Sequence, residues 1–454
     1  MELNGKKPTA SSVTFSVDTT PFAVKVFVLQ RRLLQLFGFL PSRLWRFTLL
    51  RIVWLLISAV VFAGATTELG YQLAKLVRRI QTKAPEDNLV LIFLSYAPYI
   101  AESMRGLFVL LLLLAKRNSW QKVADFVDQV VRESMPDPVE RDRKIRKWRN
   151  CAIVFAVLAI VLHLAWEVAA FFGGGSSDEN LLDDVNSTTS KTVSHNITAE
   201  NLSLTWRYAL SSTAESITFC LSQQIFAVLI VLAFVMKTGA TVLNQRITAT
   251  REETEAALDL RDLRTSGPMD GPMVIGWEMM KQHEHGPELM AEVTGKVVAI
   301  QEFHLRLVLL SHDINDIFGW ILFTLYGMDV VVLIGYVALL VTNESGVAEE
   351  KAFFGFSILL FGCFATVLYI PLVQAHEEAA EVTFGLRRLI GVTARLEPRE
   401  TVLQKRLEVF CTASRRHVPI FEGAELIHIT RIPCTMTVSI AVLAYEVLNK
   451  AALL

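Results

Sequence analysis

Seven stretches of about twenty predominantly apolar residues recur along the chain, the length that the hydrocarbon core of a bilayer demands of a helix. They fall at 47–67, 89–115, 150–172, 208–236, 317–342, 353–374 and 432–449. Within lipid each must satisfy its own backbone hydrogen bonds, so each is expected to be helical. The 454 residues are 52% hydrophobic, with a mean hydropathy of +0.41, more apolar side chain than a soluble domain needs. The expected fold class is all-α: a seven-transmembrane helical bundle in a multi-pass membrane protein. Before Pro21 the N-terminus has no apolar core, so the first span, rather than a cleavable signal peptide, is expected to target the chain. A net charge of −1 gives no reason to expect nucleic acid as a partner.

Orientation follows from where the charges sit. Segments 1–46 and 116–149 carry seven and ten Lys/Arg, whereas 173–206 and 343–352 carry one each, which places the first two in the cytoplasm. The N-terminus is then cytoplasmic and the C-terminus extracellular. Four glycosylation sequons, at Asn186, Asn196, Asn201 and Asn343, all fall in loops placed outside by this rule, and sugar is added only on that side. Segment 68–88 is the misfit, since it should be external yet contains Lys75, Arg78, Arg79 and Lys83; a long, tilted first helix would account for it. The five cysteines lie in spans or on the cytoplasmic side, so no external disulfide is expected.

Between the spans the chain divides into a cytoplasmic N-terminus, 1–46, with an interfacial helix from Phe22 to Leu40, then spans one to four over 47–236 with the external loop 173–206. A cytoplasmic extension covers 237–316, spans five and six 317–374, a second cytoplasmic stretch 375–431, and the last span with a short external tail 432–454. Both cytoplasmic stretches keep helical periodicity, as at 248–263 and 401–416, and are expected to continue the spans as long helices.

The last span is not uniformly apolar. Thr435, Ser439, Glu446 and Asn449 share one helical face with an apolar step at Val442 or Leu443. A carboxylate in a membrane helix faces a watery cavity or a partner, so this face is read as the lining of an ion pore completed by several copies of the chain. Pairing of Glu446 with Lys450 one turn on is the plainer alternative.

The layout, the Phe37-Gly-Phe-Leu-Pro ending of the interfacial helix and the last span together resemble the insect gustatory receptor family, kin to the odorant receptors. The family signature in the last helix is Thr-Tyr, five apolar residues, then Gln-Phe; the matching positions are Ser439-Ile440, Ala441 to Tyr445, and Glu446-Val447. The spacing is kept and none of the four signature residues is identical, which marks a divergent member. The resemblance implies a plasma-membrane chemosensory receptor acting as a ligand-gated, non-selective cation channel. In such a receptor the last helices of a homo- or heterotetramer line the pore, the cytoplasmic ends form an anchor, and a small-molecule tastant binds in the outer half of each bundle. Leu443 would then be the gate, Glu446 would replace the polar residue beside it, and Ser439 and Val447 would lie on adjoining turns. Four carboxylates at an outer mouth favour cations.

Under this orientation the outer halves of the spans offer a ligand site. Tyr96, Tyr99 and Glu102 lie on the second span; His163, Trp166 and Glu167 on the third; Tyr208, Ser212 and Glu215 on the fourth; Tyr326 and Asp329 on the fifth; and Phe353, Phe354 and Phe356 on the sixth. Aromatic area with a few ionisable groups suits small-molecule binding, and His163 and Glu167, four apart, could pair. Tyr and Trp near a membrane edge also serve as interface anchors.

His283-Glu-His285 and His376-Glu-Glu378 lack the spacing of a zinc-protease helix, and no phosphate loop, dinucleotide fingerprint or nucleophile elbow occurs. No metal, cofactor or enzymatic activity is expected. A G-protein-coupled receptor would need the N-terminus outside, and a secondary transporter would be expected to show internal repeats.

Overall fold

The computed structural model describes residues 22–36, 48–83, 88–116, 119–173, 199–265, 274–342, 348–396, 402–430 and 446. Among them the order is α1 (Phe22–Val26), α2 (Val28–Leu36), α3 (Thr48–Gln81), α4 (Leu89–Ala115), α5 (Trp120–Ser134) and α6 (Pro138–Gly173). There follow α7 (Ala199–Thr265), α8 (Val274–Thr342), α9 (Ala348–Leu396), α10 (Val402–Arg416) and a small hairpin, β1 (Glu422–Gly423) with β2 (Ile427–His428). Six of the described helices, α3, α4, α6, α7, α8 and α9, are long and apolar enough to cross a membrane. The seventh expected span lies outside the described residues except for Glu446, which is helical.

Local signals explain several boundaries. Asn88 caps α4 by accepting from the Val90 amide at 3.0 Å. Asp137 does the same for Val139 at 3.0 Å, with Pro138 at the first helical position, where its missing N–H costs nothing. Hydroxyls within the apolar stretches turn back on their own helix, as Ser58 does to the Trp54 carbonyl and Thr366 to that of Gly362, which satisfies them without water. α3 continues through Lys75, Arg78 and Arg79. That places three of the four basic residues of segment 68–88 on a helix of 34 residues, longer than a bilayer core requires, with Lys83 just past its end.

α7, with 67 residues, is the central mast: 89% of its apolar window is buried, against 22% for α3. α9 packs along α7 most extensively, α8 lies along α4, and α3 fills in beside α4 and α7. Leu55, Leu56 and Val60 on α3, and Val154, Val161 and Leu164 on α6, are exposed, as side chains facing lipid would be. Instead of one helix from Phe22 to Leu40, the chain forms α1 and α2, broken at Phe27. They dock on α6, with Phe22 edge-on to Trp148 at 5.9 Å and Gln30 donating to the Ala152 carbonyl at 3.0 Å.

At the end assigned to the cytoplasm, polar contacts bind the extended helices to one another. Glu133 of α5 accepts from Arg306 of α8 at 2.5 Å, and Arg246 of α7 donates to the Glu133 carbonyl at 3.1 Å. The Arg246 guanidinium also lies over the Phe303 ring at 4.7 Å. Asn244 of α7 donates to the Glu378 carbonyl of α9 at 2.8 Å.

The hairpin was not foreseen by the all-α expectation. Its turn places Ala424 and Glu425 at φ of 54° and 61°, and the Leu426 amide donates to the Gly423 carbonyl at 2.9 Å, a tight turn that leaves three residues, Ala424 to Leu426, between the paired Gly423 and Ile427. α8 holds it: Ser311 and Asn315 both donate to the Ile420 carbonyl, at 2.7 and 2.8 Å, and the Glu422 amide donates to Asn315 Oδ1 at 3.0 Å. A Cβ on Gly423 would meet the Phe323 backbone at 3.2 Å, so only glycine lets the strand lie this close.

Gly335 plays the same part between α8 and α4. A Cβ there would press on the Pro98 ring, with Cδ at 2.5 Å and the Leu94 carbonyl oxygen at 3.2 Å, and a proline ring has no rotamer by which to yield. Gly335→Ala is therefore expected to destabilise the bundle by about 1–3 kcal/mol, read as an earlier thermal unfolding of the detergent-solubilised protein.

His304, on the cytoplasmic extension of α8, is buried edge-on to Phe410 at 5.3 Å. Burial, and secondarily the charge of His417, hold its pKa down at about 4, against 6.5 ordinarily. The unfolded chain therefore takes up a proton between about pH 6.5 and 4 that the folded chain refuses, so stability falls as pH drops through that window. Melting at pH 7 and pH 5 is expected to show this loss, and His304→Phe to reduce it.

Candidate functional site

In the half of the bundle assigned to the outside, α4 supplies a polar ladder. Tyr99, Glu102 and Arg105 recur at i, i+3 and i+6, one helical stripe, and Glu102 and Arg105 are buried. Tyr336 of α8 donates to Glu102 Oε1 at 2.9 Å and sets its ring edge-on to Tyr99 at 6.2 Å. Ser103, on the adjacent face, donates to Glu215 of α7 and to the Tyr99 carbonyl. Three carboxylates are thus drawn into one region of the bundle: Glu102, Glu215 and Asp329.

Asp329 of α8 meets Arg105 with Nη1 to Oδ1 at 2.8 Å, and Tyr369 of α9 donates to its other oxygen at 3.2 Å. Tyr326 stands edge-on to Tyr369 at 5.7 Å. The Arg105–Asp329 contact is short but lies off the hydrogen-bonding direction, so neither atom counts as hydrogen-bonded; charge rather than a directed bond holds the pair. The flat guanidinium also lies over two rings of α7, Phe219 at 5.4 Å and Phe226 at 4.8 Å. Such cation–π contact adds about 2 kcal/mol when desolvated.

An aromatic cluster joins these groups. His163 stacks on Phe219 at 4.3 Å and on Trp166 at 5.8 Å, and Trp166 donates its indole N–H to Ser357 of α9 at 2.9 Å. Trp166 lies 5.8 Å from Phe353. Tyr336 stacks on Phe361 at 6.0 Å and contacts Phe353 and Phe354 at 6.3 and 6.4 Å. Five spans contribute, so apolar area and fixed polar groups converge as a small-molecule site requires.

Of the residues singled out from the sequence, Tyr99, Glu102, His163, Trp166, Glu215, Tyr326, Asp329, Phe353 and Phe354 belong to this network, and Phe356 is half-buried on α9. Tyr96 is half-buried on α4. The side chains of Glu167, Tyr208 and Ser212 lie outside the described residues, so the pairing of His163 with Glu167 does too. Ser439, Val442, Leu443, Val447, Asn186, Asn196 and Asn343 are also outside, as is the Asn201 side chain. Glu446 is helical and exposed.

Sequence reasoning missed Arg105, Ser103, Phe219, Tyr336, Ser357 and Tyr369. For Arg105 the signal was present, as a guanidinium inside the second apolar stretch is itself expensive and demands an explanation. Among the described residues no group of three or more His, Cys, Asp or Glu could hold a metal ion.

A family model described as 7tm chemosensory receptor matches residues 29–443. No curated protein matches the chain. Among solved structures, the olfactory receptor OR5 of the insect Machilis hrabei is similar in fold. Its structure in complex with eugenol has a TM-score of 0.53 at 10% identity, and a second structure of the same receptor has 0.55 at 9%. Each comparison covers 94% of this chain and 99% of that one. With the family matching over nearly its whole length, and with a bundle of membrane-length helices around a buried aromatic and polar cluster, the chain belongs to the seven-helix chemosensory receptor family.

Proposed function

We propose that this chemosensory receptor is of gustatory type and works as a ligand-gated, non-selective cation channel in the plasma membrane. Four subunits, identical or related, set their last helices around a common pore, and each binds a small molecule in the outer cluster. The observation that carries the channel reading is Glu446. It is helical and exposed in the single chain, on a predominantly apolar stretch, and a carboxylate in such a stretch is stable only against water, an ion or a partner. A symmetry axis supplies all three. Ser439, Val442, Leu443 and Val447 complete the pore face in this reading, with Leu443 as the dewetting gate.

A ligand among Tyr99, Glu102, His163, Trp166, Glu215, Tyr326, Asp329 and Phe354, with Tyr96, Glu167, Tyr208 and Ser212 toward the rim, is supported by the convergence of five helices there. It is also supported by the solved complex of an olfactory receptor of the same fold with eugenol. The extensions at 237–316 and 375–431 would form the cytoplasmic anchor of the tetramer, and Asn186, Asn196, Asn201 and Asn343 would carry external glycans.

Expression in a cell line, with calcium imaging against a tastant panel and patch-clamp of responders, tests this reading. Glu446→Gln is expected to lower divalent permeability or block several-fold while expression is unchanged. Identical permeability ratios in that variant would take Glu446 out of the pore.

A further inference from the structure

We propose that Arg105 and Gln223 form the polar end of the ligand site and select molecules that carry a neutral acceptor oxygen, foremost a carbonyl, on a flat apolar body. The inference rests on the reading of the outer cluster as a ligand site and names what that site chooses.

Both side chains are fully buried, each at 0% exposure. Among the described residues, Arg105 Nε and Nη2 have no hydrogen-bond partner, and neither do Gln223 Nε2 and Oε1. Gln223 lies on the face of α7 that the Arg105 guanidinium stands against. Phe219, Gln223 and Phe226 fall at i, i+4 and i+7 on α7 and so share one face. The Arg105 guanidinium stands over both rings, at 5.4 and 4.8 Å, which centres it on the intervening turn that carries Gln223. A buried donor left unmet costs about 1–3 kcal/mol, so two such groups on one spot make a strong demand for an acceptor.

The charge balance sets the chemical class. Asp329 already opposes the guanidinium at 2.8 Å, and Glu102 lies one turn along α4, so an added carboxylate would face two like charges. An ammonium group would face Arg105 itself. A neutral carbonyl oxygen meets neither penalty: it accepts from the free edge of the guanidinium, while the Gln223 carboxamide, both donor and acceptor, adjusts to what lies beside it. The remaining walls are rings, with Phe155 stacked on Phe226 at 6.4 Å and His163 on Phe219 at 4.3 Å, which favours a planar body. The competing internal arrangement is a turn of the Gln223 side chain onto Arg105, in which the two satisfy each other and no ligand is involved.

The test uses the purified full-length receptor in lipid nanodiscs and four probes of similar size: acetophenone, ethylbenzene, benzoate and 2-phenylethylammonium. Binding is followed by quenching of tryptophan fluorescence, Trp166 being part of the cluster. Acetophenone is expected to bind about tenfold or more tightly than each of the others, because a buried polar site rejects a ligand lacking the matching group. Gln223→Leu is expected to remove most of that preference, weakening acetophenone binding and strengthening that of ethylbenzene. Arg105→Met combined with Asp329→Leu, which keeps the charge balance, is expected to abolish it. Equal affinity for ketone and hydrocarbon, preference for either charged probe, absence of binding by all four, or a ketone preference that survives Gln223→Leu would each overturn the proposal. The last outcome would mean that Gln223 only completes the fold. Ketone preference without evoked current would overturn the channel reading and leave this inference standing; evoked current without ketone preference would do the reverse.

Discussion

A guanidinium and a carboxylate buried between membrane-length helices have no water to fall back on, so they must find each other. Arg105 on α4 and Asp329 on α8 do so at 2.8 Å, with Tyr369 of α9 on the second carboxylate oxygen and two rings of α7 beneath the cation. Four helices are thereby tied at one level. Apolar packing alone would leave them free to slide, because lipid tails are as apolar as leucine and offer little preference between helix and lipid. Unpairing either charge costs about 3–5 kcal/mol, enough to set the register of the bundle. The same tie fixes Glu102 one turn away and with it Tyr336, and so places the aromatic cluster.

Rigidity connects this cluster to the opposite end of the molecule. α8 carries Asp329 and Tyr336 in the outer half, and on the same unbroken helix of 69 residues it carries Ser311 and Asn315, which hold the Ile420 carbonyl. The chain from that carbonyl leads through the hairpin to the apolar stretch that begins at 432. Gly319 and Gly423 let the helix and strand backbones approach closely, since a Cβ on either would meet backbone atoms at 3.2 Å.

Some of this was legible in the sequence and some was not, for physical reasons. Apolar runs show their length directly, so each of the first six expected spans falls on a described helix long and apolar enough to cross a membrane. The continuation of α7, α8 and α9 past the apolar stretches was carried by helical periodicity. The hairpin was hidden because its turn uses Ala424 and Glu425 at positive φ, where glycine or asparagine would be the signal. The residues of the outer cluster were recognisable as aromatic and acidic, but periodicity cannot tell which residue meets which across helices. Arg105 was overlooked because averaging over a long apolar window hides one charge, and Asp329, its partner, is far along the chain. The stacking of His163 on Trp166, three residues on, follows helical spacing, whereas its stacking on Phe219 of α7 crosses between helices, which no local rule encodes.

The dependence of the bundle on that one ion pair is open to a direct measurement: a double-mutant cycle on Arg105→Met and Asp329→Leu, read as thermal unfolding of the receptor in nanodiscs. Each single change leaves a buried charge alone and should lower the midpoint sharply, whereas the double change removes both charges and should recover most of the loss. Losses that simply add would show that the two residues do not act as a pair, and the account of what holds these helices in register would be wrong.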